Sequence, residues 1–203
     1  MQVFVASMST AMISAYSVTN STANFVTLIL LSYNVMVVTI VGQRAGTGDK
    51  ERTRAGLDYI YHRAFFWSLL SALVAAVCAT PLILAFSSDP QVVYIGTRLM
   101  WIDAVILPLW VPAFVLPSGF RGAKDVFFSL IFGSISMWVF RVFGSYVLSI
   151  SLGLAAYGVY WGMGLDWLIR SIGFVWRFKS GKWTARIQPP PTAAERDLPV
   201  SAK

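Results

Sequence analysis

From Met1 to Gln43 the chain runs MQVFVASMSTAMISAYSVTNSTANFVTLILLSYNVMVVTIVGQ without one Lys, Arg, Asp or Glu. A segment that must meet water on any side cannot stay uncharged for so long, whereas about 20 apolar residues are what one crossing of a lipid hydrocarbon core requires. The run exceeds one crossing, and Ser14 to Asn24 is polar enough to hold a bend. Met1 to about Ala11 therefore reads as the stub of one span, and about Tyr16 to Gly42 as a full transmembrane helix.

Further apolar runs follow downstream. Ala64 to Ser88 is uncharged, and a helix is expected from about Pro90 to Pro117, where Asp89 can cap free amides and Pro90 fits a first turn. Val126 to about Leu148 and Ala156 to about Arg177 supply two more, joined at Ser151-Leu152-Gly153. The fold class is all-α transmembrane: a polytopic helix bundle of five full spans plus the stub of a sixth. Composition agrees, since 57% of residues are hydrophobic and 12% charged, against about 25% charged in an ordinary soluble domain. Residues 1–187 form this transmembrane lobe, and 188–203, rich in proline with mixed charge, read as a disordered cytoplasmic tail.

The sixteen Lys and Arg residues orient the bundle. Arg44, Lys50, Arg52, Arg54 and Arg63 flank one loop, Arg121 and Lys124 occupy another, and Arg177, Lys179, Lys182, Arg186, Arg196 and Lys203 follow the last helix. The stretches 11–22, 87–93 and 149–156, at the opposite helix ends, contain none. By the preference of cations for the cytoplasmic side, the charged face and the C-terminus are expected to be cytoplasmic. The net charge of +7 thus follows from topology, and no nucleic-acid partner is implied. One cysteine, Cys78, and one histidine, His62, leave no disulfide framework and no metal site. Gly42 to Asp49 superficially suggests a phosphate loop but lacks its Lys-Ser/Thr ending and follows a membrane helix, so a glycine-capped helix stop is expected. No nucleophile–base set or dinucleotide fingerprint is present, and no catalytic residue or cofactor is assigned: the chain reads as no enzyme.

Ionisable groups within spans are costly and point to function. Asp103 falls near the middle of the Pro90–Pro117 helix; it either binds a coupling ion, H+ or Na+, or packs two helices as a neutral acid. Arg141 and Asp166 each lie about ten residues from the Ser151–Gly153 turn, about the same depth at 1.5 Å per residue, so they can pair across the hairpin. Arg170, four residues after Asp166, is the other partner. Such pairs either hold helices together or open during transport. Pro108, Pro112 and Pro117 interrupt one helix, freeing carbonyls that protein or a cavity must receive. Asn20, Asn24 and Asn34 share a broad face of the first full helix and are candidates to line a cavity, or to form interhelical hydrogen bonds.

Four segments resemble multidrug and toxic compound extrusion (MATE) transporters. Val41-Gly42-Gln43 with Gly46 and Gly48-Asp49 resembles the loop after that family's eighth helix, and Leu116 to Asp125 resembles the Gly-x-Arg-Gly-x-x-Asp loop after its tenth. Trp138 to Arg141 is similar to its eleventh helix. Gly158 to Trp161, Asp166-Trp167, Arg170, Arg177-Phe178 and Ser180 to Trp183 are similar to its last helix and C-terminal end.

The resemblance implies one lobe, the C-terminal one, of a two-lobed antiporter that exports small organic cations against protons or sodium by rocking around a central cavity. An N-terminal lobe, from another chain or from missing sequence, is then the expected partner beside the lipid bilayer. The alternatives are a truncated product inactive by itself, or a flippase of lipid-linked substrates, for which only Arg98, Arg141 and Arg170 are available as cavity cations. The acid that sodium-driven relatives carry on the tenth helix corresponds to Trp110, a further cavity-lining candidate, with Asp103 two turns away on a similar face.

Overall fold

The computed structural model describes residues 10–151 and 153–187. Most of the expected stub, Met1 to Ala11, and the whole tail from Gln188 lie outside the described residues.

The first helix, α1 (Thr10–Gly46), is continuous for 37 residues, about 55 Å at 1.5 Å per residue. The bend expected over Ser14–Asn24 is absent. Within the stretch, Thr19 and Thr22 donate their hydroxyls to the carbonyls of Ala15 and Val18 at 2.8 and 2.9 Å, so these two polar side chains are satisfied inside the helix. Gly48 then takes a left-handed φ of 77° and the Asp49 carboxylate accepts the Arg52 amide at 3.0 Å, which stops one helix and starts the next. That helix, α2 (Lys50–Val77), ends four residues before Pro81 of the short α3 (Ala79–Leu84), which has no amide to continue the ladder.

The α4 helix (Pro90–Ile106) begins as its sequence suggests, with Asp89 accepting the Gln91 amide at 2.9 Å. It does not run unbroken to Pro117. Pro108 lies in a 3-10 turn, Leu107–Leu109, and a separate α5 (Trp110–Gly122) follows. Pro117 is accommodated inside α5. The expected helix from Val126 to Leu148 also differs: α6 (Val126–Ser136) widens into π-helical segments, Met137–Gly144 and Val147–Ser151. The final long helix is α7 (Ala155–Lys179). Gly181 at φ 68° then turns a 3-10 segment back under the bundle, burying Trp183 against Phe120 and Phe178.

Among the described residues the architecture is all helical. The core lies around α5, whose Val111, Leu116 and Phe120 meet Leu30, Val37 and Val41 of α1, Leu57 and Ile60 of α2, and Phe174 of α7. Large apolar side chains such as Phe25, Val77, Leu130, Trp138 and Trp176 point outward. That is the surface of a protein whose solvent is lipid. Four helical stretches are long and apolar enough to cross a membrane: Thr10–Gly46, Lys50–Val77, Pro90–Gly122 and Val126–Ser151. The fifth expected span, α7, has the length, but Asp166, Arg170 and its glycines keep it outside that set. It is also the helix that carries the buried Asp166–Arg170 pair.

Lipid gives apolar helices no hydrophobic reason to associate, so close backbone approach has to hold them. A Cβ at Gly122 would stand 2.8 Å from the Val38 carbonyl of α1, and one at Gly158 would stand 2.6 Å from the Leu148 and Ser149 backbone. Backbone cannot give way as a side chain does. Gly158→Ala is therefore expected to lower stability by about 1–3 kcal/mol, as overpacking generally does. A lowered melting temperature in detergent checks this, with Gly46→Ala as the control, since nothing lies within 4 Å of a Cβ there.

Candidate functional site

Helix α4 delivers Asp103 into the interior, where its residue is only 3% exposed. No hydrogen bond or ion pair from a described residue reaches its carboxylate. Its electrostatic neighbour is Tyr160 of α7, whose hydroxyl is buried without a hydrogen-bond partner. The Tyr160 ring meets that of Tyr16 from α1 edge-on at 5.9 Å. Arg141, on the π-helical segment, acts in turn on Tyr16, Asp166 and Arg170. Four helical segments thus contribute to one interior row of ionisable and phenolic groups, Asp103–Tyr160–Tyr16–Arg141.

Beside this row stands a closed charge pair. Arg170 Nε donates to Asp166 Oδ1 at 2.8 Å, Ser136 Oγ donates to the same oxygen, and Arg170 Nη2 donates to the Gly133 carbonyl at 2.9 Å. Asp166 is fully buried and its Oδ2 has no hydrogen-bond partner. Among the described residues Arg141 is within Coulombic reach of Asp166 but forms no ion pair with it. The local partner prevails because residues four apart share a helix face, whereas the π-helical widening alters the register on which an estimate of equal depth relied.

The asparagines and Trp110 do not converge on one cavity. Asn34 sits in the seam between α1 and α5, accepting from Ser118 Oγ at 3.2 Å, and Arg121 donates to Ser118 at 2.7 Å. Asn20 and Asn24 face outward, and with Ser17 and Ser21 they make a polar stripe on an otherwise apolar helix. Helix α5 meets α1 at Asn34, through Ser118, and at Val38 and Gly42, through Gly122, which covers the lower asparagine, while the upper two are exposed. Trp110 is core, stacked on Phe114 at 5.0 Å, which in turn meets Trp167. Tyr16 and Tyr160 were not singled out from sequence. The available signal was Tyr160 itself, a phenol within the Gly158–Trp161 run of the helix that carries Asp166.

A bundle of membrane-length helices with titratable groups inside it describes a multi-pass membrane protein. Comparison with known proteins agrees: the MatE family model matches residues 1–147. The chain belongs to the MatE family. A "Probable multidrug resistance protein NorM" of Thermotoga maritima is 26% identical over 153 residues, 75% of this chain and 33% of that protein. A "Probable multidrug resistance protein YpnP" of Bacillus subtilis is 28% identical over 174 residues, 85% of this chain and 38% of that protein. The chain thus spans between a third and two fifths of the length of these relatives. It is a multi-pass membrane protein.

The Gly119–Asp125 segment of this MatE chain has a structural account. Gly119 admits the Leu57 side chain and Gly122 the α1 backbone. Asp125 Oδ2 accepts from Arg177 Nη2 at 2.9 Å and from Nε at 3.1 Å, and the guanidinium lies over Phe128 at 4.6 Å. The loop therefore locks α5, α6 and the end of α7 together at the cation-rich end.

Proposed function

We propose that this chain is the C-terminal lobe of a cation-coupled multidrug antiporter, exporting small organic cations by alternating access in exchange for protons or sodium ions. The observation that carries this is Asp103: an acid held inside a membrane bundle, to which no described residue gives a hydrogen bond or ion pair, next to the Tyr160 phenol, also without a hydrogen-bond partner among the described residues. A permanent structural charge would have a counter-ion, as Asp166 and Asp125 do. An acid that gains and loses a small cation needs its oxygens free. The names of the two relatives, both multidrug resistance proteins, support the substrate class.

The second lobe is supported by the outward stripe Ser17, Asn20, Ser21 and Asn24. Amides and hydroxyls facing lipid would lose their hydrogen bonds to water, so a polar surface must cover them. A facing lobe across a water-filled cleft does so. Cation binding at Asp103 and drug binding in the cleft would then favour opposite packings of the two lobes. In this reading the cation-rich loops face the cytoplasm and the protein resides in the bacterial plasma membrane.

Expression in a drug-sensitive strain tests the proposal. The chain alone is expected to leave resistance to organic cations unchanged, and co-expression with an N-terminal MATE lobe to raise it. Full resistance from the chain alone would refute the half-transporter reading. Loss of interaction between the lobes on mutating Asn20 and Asn24 to Leu, with unchanged folding, would support the stripe as their contact.

A further inference from the structure

Among the described residues, six buried side-chain polar atoms lack a hydrogen-bond partner, and five of them lie on one seam. The Tyr160 hydroxyl, Asp166 Oδ2 and Trp167 Nε1 belong to α7, and the Ser145 and Ser149 hydroxyls to the Met137–Ser151 stretch packed against it. Other buried hydroxyls are satisfied locally: Thr19, Thr22, Thr53, Ser118 and Ser171 each donate to the carbonyl four residues back. Ser145 and Ser149 do not. A π turn gives its backbone bond to the carbonyl five residues back, which disturbs the acceptor that such a hydroxyl uses in an α-helix. Nor is there room for a water at this contact. A Cβ at Gly162 would collide with Ser145 Oγ, and one at Gly158 would stand 2.6 Å from the Leu148 and Ser149 backbone.

The same stretch carries Arg141 past Asp166 without closing a pair. Ser136 donates to Asp166 Oδ1, and Ser145 lies against Gly162. Between these two contacts the widened helix spends nine positions where α7 spends four, and Arg141 falls within the surplus. Its guanidinium is in Coulombic reach of Asp166 and of Tyr16, yet no ion pair forms with a described residue. Arg170 and Ser136 both occupy Asp166 Oδ1, so the free oxygen is Oδ2. The turn after the stretch holds Gly153 at φ 66° and Ala155 at φ 51°. For an alanine that left-handed backbone is strained.

We propose that Met137–Ser151 is a register switch with two packings on α7. In the packing described above the stretch is widened, its two serines are unsatisfied and Arg141 stands off Asp166. In the other, one widened turn returns to α-helix, which advances the helix by one position, about 100° of rotation and 1.5 Å of rise. The serine hydroxyls then reach carbonyls four residues back, and Arg141 closes on Asp166 Oδ2. The strained turn at Ala155 absorbs the shift. The widened packing keeps Ser145 and Ser149 seated on Gly162 and Gly158, and the regular one satisfies the polar groups. Neither packing has both, which is how two arrangements of one helix come to lie close in energy. The switch lies within this lobe and stands whether or not the transport reading does.

The test measures a distance between two spin labels in the purified full chain, reconstituted in lipid nanodiscs. The labels sit on Phe143→Cys and Ile172→Cys, both lipid-facing positions, in a Cys78→Ser background. Two distances are expected, several ångströms apart, because the rotation carries residue 143 around its helix. Ser145→Ala with Ser149→Ala removes the unsatisfied hydroxyls of the widened form and the local bonds of the regular one. It is expected to reduce the regular population at least fivefold. Arg141→Gln, which removes the pair with Asp166 Oδ2 and touches neither serine, is expected to shift the ratio the same way. A single distance in the labelled chain without these further substitutions overturns the proposal. Two distances whose ratio either variant leaves unchanged also overturn it.

Discussion

Asp103→Asn, in an assembly of both lobes, is expected to reduce drug export to the background of cells without the transporter. The substitution keeps size and removes the capacity to carry charge. Because no described residue hydrogen-bonds the Asp103 carboxylate, little folding energy depends on it, and burial of a neutral amide replaces burial of an acid at the same place. The variant should therefore express and melt like the native protein while losing the ion dependence of transport. That combination separates coupling from packing. A purely structural Asp103 would give the reverse: lower stability, and export per folded molecule unchanged in amount and in ion dependence. Measurement of drug efflux against an imposed proton or sodium gradient distinguishes the two outcomes and also identifies the ion.

The second large effect concerns the Asp125–Arg177 pair. The Asp125 side chain is 3% exposed and that of Arg177 18%, so both charges are largely removed from solvent. Removing one partner leaves the other buried and unpaired, which typically costs about 3–5 kcal/mol. Asp125→Ala is expected to lower stability by that amount and to loosen the end of α7, with Trp183 losing its packing on Phe178. Tryptophan fluorescence and a detergent melt report it. The double variant Asp125→Leu with Arg177→Met removes both charges and keeps volume, and it should recover most of the loss. Equal loss in the single and double variants would mean that the contact with Phe128 and the loop geometry, not the ion pair, hold this end.

The two acids show what can be read from sequence. Asp103 was identifiable as a candidate because a carboxylate in the middle of a long apolar run is costly wherever that helix packs. Its surroundings were not identifiable. Tyr160 and Tyr16 come from helices far apart in the chain, and only packing brings them to the same row. Asp166 was legible for a different reason: Arg170 follows it by four residues, so a local rule suffices. The pairing of Asp166 with Arg141 depended on the register of two helices, and the π-helical stretch between Ser136 and Ser151 changed that register. No sequence periodicity announces such a widening.

The backbone divides the same way. Asp89-Pro90 and Gly48-Asp49 marked helix ends because caps are local chemistry, satisfied by residues two or three positions away. The bend expected over Ser14–Asn24 did not occur, and there the Thr19 and Thr22 hydroxyls have acceptors one turn back within the same helix. Polar content alone does not decide between a bend and such a bond. The sequence by itself determined that this is a multi-pass membrane protein with its loop cations at one end, since hydrocarbon excludes charge from any span however the spans are arranged. Only the tertiary structure decided that α7 buries Asp166, that Arg170 holds it, and that no described residue pairs with Asp103. Those are properties of contacts between helices, set by glycine-permitted backbone approach that no single helix carries in its own pattern.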